Sequence, residues 1–202
     1  MTNVRSPELQ RFLDVALGAL GQLAPGHEAQ ASLKRITAAA GRIEPQRDEP
    51  GSRQPVCEHL DPMLESLSAH PDLGPLARAF RAVEPALDWR PRSTNETASA
   101  NFPTSHANAV FVGPGGIEHR NDIWIGVSLM APHVRYPDHD HAPEETYLVL
   151  SEGEFRQADG DWFSPGVGGS FYNPPGILHM MRSGDRPLLA LWALWNHRSE
   201  AE

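Results

Sequence analysis

A single cysteine, Cys57, stands in the 202 residues of this chain. It can form no internal disulfide and offers no thiol cluster for zinc. Long apolar runs are also missing: none approaches the roughly 20 residues needed to cross a bilayer. Positive charge is the minority, with 17 basic against 26 acidic residues and a net charge of −9. Phosphate binding needs clustered positive charge, so the balance argues against nucleic acid as the main partner. The opening Met1-Thr2-Asn3-Val4-Arg5 runs into an amphipathic pattern and lacks the apolar core of a secretion signal. The expectation is a soluble cytoplasmic protein with neither membrane nor nucleic acid as partner. An acidic surface does not set the charge of a small ligand, because a pocket has its own local field.

The length allows one or two domains and a core of its own, and no internal repeat or low-complexity tract is present. Ser6-Pro7-Glu8 reads as a helix start: a capping hydroxyl, proline at the first helical position, then an acid. Leu9, Phe12, Leu13, Ala16, Leu17 and Leu20 follow at three- and four-residue spacing and form one apolar face. Pro25-Gly26 ends that helix, and a second runs from about His27 to Ile43. Glu44 to Pro55 reads as a loop. Val56, Leu60, Met63, Leu64 and Leu67 mark a third helix, with Cys57 as a small core residue on it. Leu73, Leu76, Ala77, Phe80 and Val83 mark a fourth.

Near Leu87 the helical period gives way to short apolar runs between turn clusters. Ile123 to Met130 alternates, with Ile123, Ile125, Val127 and Leu129 on one face and Trp124, Gly126, Ser128 and Met130 on the other. Ala109–Val112, Thr146–Leu150, Glu154–Gln157, Ser170–Tyr172, Ile177–Arg182 and Leu188–Trp195 complete a series of strands that suggests a sandwich or barrel. The division is therefore a helical region, residues 1–86, packed on a β-barrel, residues 87–202. The long polar segment from Arg90 to Ala109 reads as a lid over the barrel or an ordinary loop.

Chemistry concentrates between Tyr136 and Leu150. His139, His141 and Glu145 stand as His-x-His-x-x-x-Glu, Tyr147 follows two residues later, and His179 closes a Gly- and Pro-rich stretch from Gly168. Imidazoles and a carboxylate are ligands that borderline divalent metals prefer. On an extended chain His139 and His141 share a face, as do Glu145 and Tyr147. The neighbouring Glu144 should point away.

These two segments resemble the cupin superfamily. The first fits the His-x-His-(x)3-Glu core of one cupin motif. The second fits Gly-(x)5-Pro-x-Gly-(x)2-His, with Gly168, Pro174, Gly176 and His179 in register. Departures fall at turns: His133 replaces a glycine, Gly153 comes one residue late, and Ser183 stands where asparagine is expected. The resemblance covers roughly residues 105–197 and implies a mainly β fold, a double-stranded β-helix (jelly-roll) barrel. It also implies one divalent metal ion on His139, His141, Glu145 and His179. Which of zinc, iron, manganese, nickel or cobalt it is stays open, because all accept this donor set.

The stretch from Tyr136 to Tyr147, the N-terminal helices and the chain length are similar to the cupin-type dimethylsulfoniopropionate (DMSP) lyases of marine bacteria. That resemblance implies cleavage of DMSP to dimethyl sulfide and acrylate, with Tyr147 as base and Tyr136 beside it among the catalytic residues. The chemistry is coherent with the residues. Removing the proton beside a carboxylate builds negative charge that a Lewis acid stabilises. A nearby cation also favours phenolate over phenol, which predicts an alkaline optimum.

The sulfonium end needs aromatic faces, for which Tyr136 is the first candidate, then Trp192, Trp195, Phe171 and Tyr172. Trp192 and Trp195 are three apart, so only one can line the barrel. His133 joins the substrate-contact candidates, against a plainer reading as a solvent-facing loop residue. The partner is then a small sulfonium carboxylate, with a homodimer left open. Two rivals remain: a cupin dioxygenase acting on a small carboxylate, and a non-catalytic ligand-binding cupin.

Overall fold

A computed structural model describes residues 4–196. Met1 to Asn3 and residues 197–202, the outer ends of the two regions read above, lie outside the described residues. Four helices come first: α1 (Pro7–Leu23), α2 (Gly26–Ala40), α3 (Leu60–Ser68) and α4 (Gly74–Val83). The Ser6 hydroxyl accepts a hydrogen bond from the Leu9 amide and caps α1, whose six expected inward residues are all buried. The second helix stops at Ala40, short of the expected Ile43. Val56 and Cys57 sit on a short 3-10 turn, Pro55–His59, that leads into α3.

Seven strands follow: β1 (His106–Val112), β2 (Ile123–Met130), β3 (Glu144–Val149), β4 (Glu154–Gln157), β5 (Ser170–Asn173), β6 (His179–Arg182) and β7 (Leu188–Trp195). They form a five-stranded antiparallel sheet in the order β1-β2-β7-β3-β5 and a two-stranded sheet, β4-β6. Two bridges, Arg135 with Arg182 and His139 with His179, lay the 135–139 segment against β6 and widen the smaller sheet. The inner faces pack together through Met130, Val149, Phe155, Met181 and Ala190. The architecture is the expected double-stranded β-helix (jelly-roll) barrel behind an N-terminal helical region.

The alternation expected along β2 decides what each face meets. Ile123, Ile125, Val127 and Leu129 share one apolar cluster with the helices, while Met130 belongs to the barrel interior. Phe12 of α1 stacks on Phe111 of β1 at 3.8 Å and meets Phe80 of α4 edge-on at 5.8 Å. All three rings are fully buried, each contributing about 1.5–3 kcal/mol. Because helices cover its outer face, β3 is buried along both sides. Among the described residues no helix is long and apolar enough to cross a membrane.

The segment expected as lid or loop is a strap. Its Ser99 amide donates to Arg135 O (3.1 Å), and the Thr97 hydroxyl accepts from the Asp138 amide (2.8 Å). Asn95 Nδ2 donates to Asp138 O (3.2 Å). The strap is thus hydrogen-bonded along the chain that leads into His139.

Candidate metal centre and pocket

The two histidine segments are shaped by turns. Residues that precede prolines are biased towards extended backbone, and prolines flank the first two histidines at Pro137 and Pro143. After Pro174-Pro175, Gly176 takes φ +72, and its amide donates to His141 O at 2.9 Å. That places His179 opposite His139, with backbone hydrogen bonds in both directions at 3.2 and 2.9 Å.

Each of the three rings is then oriented by its own backbone. Nδ1 of His139 lies 2.9 Å from Pro137 O, that of His141 2.8 Å from Pro143 O, and that of His179 2.9 Å from Ile177 O. A carbonyl can only accept, so each Nδ1 carries the proton and each Nε2 keeps its lone pair. One ring nitrogen from each histidine comes within 4.8 Å of the other two.

Glu145 enters from β3, across the barrel. Its Oε2 is 3.4 Å from His141 Nε2 and 3.3 Å from His179 Nε2, and it accepts from Asn173 Nδ2 at 3.0 Å. Burial alone would push the carboxyl up, but His141 and His179 outweigh it and hold Glu145 well below the usual carboxylate range. Burial, reinforced by the charges of His179 and Arg92, brings His139 down to about 3. His141 moves the other way: burial lowers it, and Glu145 more than compensates.

The residues fit a divalent cation. Three imidazole nitrogens and a carboxylate are a donor set for such an ion, and burial keeps His139 neutral, as a ligand must be. His179 Nε2 is buried and makes no hydrogen bond among the described residues, an orphan that a bound cation would satisfy.

The adjoining pocket has a volume of about 200 Å³. Tyr147 lines it from the same strand face as Glu145, 3% exposed, its ring stacked on Phe171 at 5.0 Å. Burial first, and Glu145 next, raise its phenol well above the ordinary range. Tyr136 lies opposite; its Oη accepts from Asn108 Nδ2 at 2.6 Å and from Arg92 Nη1 at 3.5 Å. Trp192 lies over Gly126, and its Nε1 donates to Ser128 Oγ at 3.1 Å. A larger hollow, about 440 Å³, opens between α3 and the Leu150–Glu152 turn. Its floor of Met63, Leu67 and Leu150 is mainly apolar, and no set of ligating groups converges there among the described residues.

Other expected contacts fall elsewhere. Trp195 faces outward beneath α2, within the helix-side cluster and under the Arg35 guanidinium at 5.9 Å. His133 is exposed on a left-handed turn (φ 58), 3.8 Å from Asp185 and away from the pocket. Tyr172 also faces outward and donates to Glu144 Oε2 at 2.8 Å; Glu144, turned from the site as expected, pairs with Arg35. Reading the sequence missed Arg92, Asn108 and Asn173. The strand was expected to start at Ala109, which left Asn108 outside it; with β1 starting at His106, Asn108 falls on the inward face with Val110. Arg92 has no local signal.

The chain matches the dimethylsulfoniopropionate lyase family over residues 28–190. It is 31% identical over 148 residues to dimethylsulfoniopropionate lyase DddQ of Ruegeria pomeroyi, covering 70% of this chain and 73% of that protein. It is 27% identical over 154 residues to the putative dimethylsulfoniopropionate lyase DddL of Cereibacter sphaeroides, covering 76% of this chain and 64% of that one. The crystal structure of DMSP lyase DddQ from Ruegeria pomeroyi superposes with a TM-score of 0.68 at 24% identity, over 96% of this chain and 93% of that one. A structure described with the DMSP lyases RdDddP and RnDddQII gives 0.70 at 23%, over 94% and 93%. The shared fold therefore includes the helices as well as the barrel.

Proposed function

This chain belongs to the DMSP lyase family, and on that premise we propose that it cleaves DMSP to dimethyl sulfide and acrylate by a metal-dependent, base-catalysed β-elimination. The observation that carries the reading is the convergence of His139, His141, His179 and Glu145 beside a buried tyrosine on the same strand face as the glutamate. Those four side chains would hold the cation, which supplies Lewis-acid charge at the substrate carboxylate, where negative charge builds as the α-proton leaves.

Tyr147 is the base. As phenolate it takes the α-proton; the C–H pair becomes the Cα=Cβ bond, and the Cβ–S pair departs with sulfur as dimethyl sulfide. Acrylate remains, and the proton rests on Tyr147. Burial and Glu145 favour the neutral phenol, so the base form depends on compensation of the carboxylate two residues before it. Each pKa unit of that compensation is worth about 1.4 kcal/mol.

Tyr136 orients the substrate. Its oxygen already accepts from Asn108 and Arg92, which leaves its own hydroxyl proton free to donate into the pocket. The indole of Trp192 offers a face to the sulfonium. Aromatic walls around Tyr147, chiefly the buried Phe155 and the partly buried Phe171, keep water from the base.

Metal-replete protein incubated with DMSP under nitrogen tests this by headspace gas chromatography. Dimethyl sulfide and acrylate should appear in equal amounts and vanish in the chelated sample. Tyr147→Phe should lose about 10²–10⁴-fold in turnover, as for a missing general base. No gas from protein shown to hold its metal would overturn the lyase reading, and oxygen uptake on small carboxylates would then test the dioxygenase.

A further inference from the structure

Arg92 is an arginine at the mouth of the pocket with no carboxylate within ion-pair reach among the described residues. Nearby Arg135 meets Asp138 and Arg182 meets Glu154. Arg92 instead lays its guanidinium over the Tyr136 ring, 5.5 Å from the centroid, with one long hydrogen bond of 3.5 Å to the phenol oxygen. A guanidinium carries five N–H donors in a planar fork and is always charged, so most of its binding capacity is unused.

The side chain is exposed but its backbone is held. The Arg92 amide donates to His106 Nε2 at 2.7 Å, and His106 is itself buried, stacked on Phe102 at 3.5 Å with Nδ1 against Phe102 O at 2.5 Å. Two residues earlier, Arg90 and Asn108 exchange backbone hydrogen bonds of 2.8 and 2.9 Å. The cation is thereby stationed beside Tyr136, whose ring lies 5.1 Å from that of His139.

We propose that Arg92 is a specificity-determining residue that reads the charge order of the substrate: it receives the carboxylate of an entering zwitterion and denies the Tyr136 face to the onium end. The face that sequence reading assigned first to the sulfonium is already covered by a cation. Attraction of one end and repulsion of the other act in the same sense, so a single residue sets which end approaches the histidines. The sulfonium is left with Trp192. This inference rests on the proposed lyase reading for the identity of the zwitterion, but the carboxylate preference stands on the pocket alone.

The test separates the two ends of the substrate. Propionate carries the carboxylate alone and trimethylsulfonium the onium alone; each is titrated by calorimetry into metal-replete wild type, Arg92→Gln and Arg92→Lys at low and high salt. A rim charge acts mainly through attraction that salt screens. Arg92→Gln should bind propionate about three- to ten-fold more weakly, with its salt dependence flattened, and trimethylsulfonium as well as wild type or better. Arg92→Lys should recover most of the propionate affinity. In DMSP turnover, Arg92→Gln should raise KM by a similar factor and leave kcat unchanged.

Unchanged propionate affinity in Arg92→Gln overturns the assignment. So does equal weakening of both probes, which would mark a distorted pocket, or a fall in kcat at constant KM. If wild type fails to cleave DMSP while propionate binding still depends on Arg92, the lyase reading falls and the charge-reading role survives. If DMSP turnover is normal in both enzymes, Arg92 alone is excluded.

Discussion

Asn173 donates its side-chain amide to Glu145 Oε2 at 3.0 Å, and the two residues stand directly opposite in the β3–β5 pairing. Asn173 is fully buried, and its own Oδ1 accepts from Gln157 Nε2 at 2.6 Å. The amide cannot turn over without losing both bonds, so the carboxylate oxygen beside His141 and His179 is aimed by a chain of two side chains from β4 and β5. Groups that orient ligands in this way typically contribute 10–100-fold to metal affinity. Asn173→Ala should weaken metal binding by about that factor in a chelator competition, with activity returning in excess metal. Unaltered affinity would mean that Glu145 is positioned by other contacts.

Gly126 is required by close approach. A Cβ at this position would lie 2.1 Å from Trp192 Cη2 and 2.7 Å from Ala109 O. Gly126→Ala must therefore push the indole towards the pocket or spread β1 from β2. Overpacking of this kind typically costs about 1–3 kcal/mol. The expected result is a lower Tm, altered tryptophan fluorescence and a raised KM for DMSP. A variant with wild-type spectrum and KM would remove Trp192 from the substrate's surroundings.

Acid should weaken the metal-free protein through His139. Burial, with the charges of His179 and Arg92, brings the native imidazole down to about 3, whereas in the unfolded chain it titrates near 6.5. Below that value the unfolded chain takes up a proton that the native site refuses. The stabilisation is complete above about pH 6.5 and declines as pH falls towards 3. Glu145, also depressed, acts in the same sense at lower pH, while His141, shifted upward, opposes it near neutrality. Thermal midpoints of chelated protein between pH 7.5 and 4 should fall, and fall less steeply in His139→Gln. Parallel curves for the two proteins would assign the acid sensitivity elsewhere.

The buried pair of Arg5 and Glu118 ties the N-terminal segment to the barrel far from the pocket. Arg5 Nε lies 2.6 Å from Glu118 Oε2 and Nη2 2.8 Å from Oε1, and neither side chain is more than 3% exposed. Removing one partner of such a pair leaves the other charge buried, a loss of about 3–5 kcal/mol. Glu118→Ala should show it in urea unfolding, with metal affinity unchanged where the protein is folded. A loss below about 1 kcal/mol would indicate that water replaces the carboxylate.

Much of the architecture was legible because the signals are local. All six inward residues of α1 follow from its period, the bounds of β2 follow from alternation, and those of β4 and β7 from short runs between turn residues. Errors arose where partners decide the ends. The β1 strand begins at His106 because His106 pairs with Met130 across the sheet. Ile177 and Leu178 belong to the turn after Pro174-Pro175 rather than to β6, and α2 stops three residues early, just before Gly41.

The sequence alone determined the candidate ligands and the order in which the barrel would present them. The spacing of His139, His141, Glu145 and Tyr147 is a matter of covalent geometry along one extended chain, and Gly176 and the prolines before it bend the chain back at His179. Tertiary structure decided everything that depends on which strands become neighbours. It put Trp192 rather than Trp195 in the pocket, because β7 turns its 192 face into the barrel and its 195 face towards α2. It aimed Glu145 through Asn173, and it set the guanidinium of Arg92 against Tyr136, 44 residues away in sequence. Periodicity along one chain cannot specify such contacts, because their energies come from groups that only the closed barrel brings within reach.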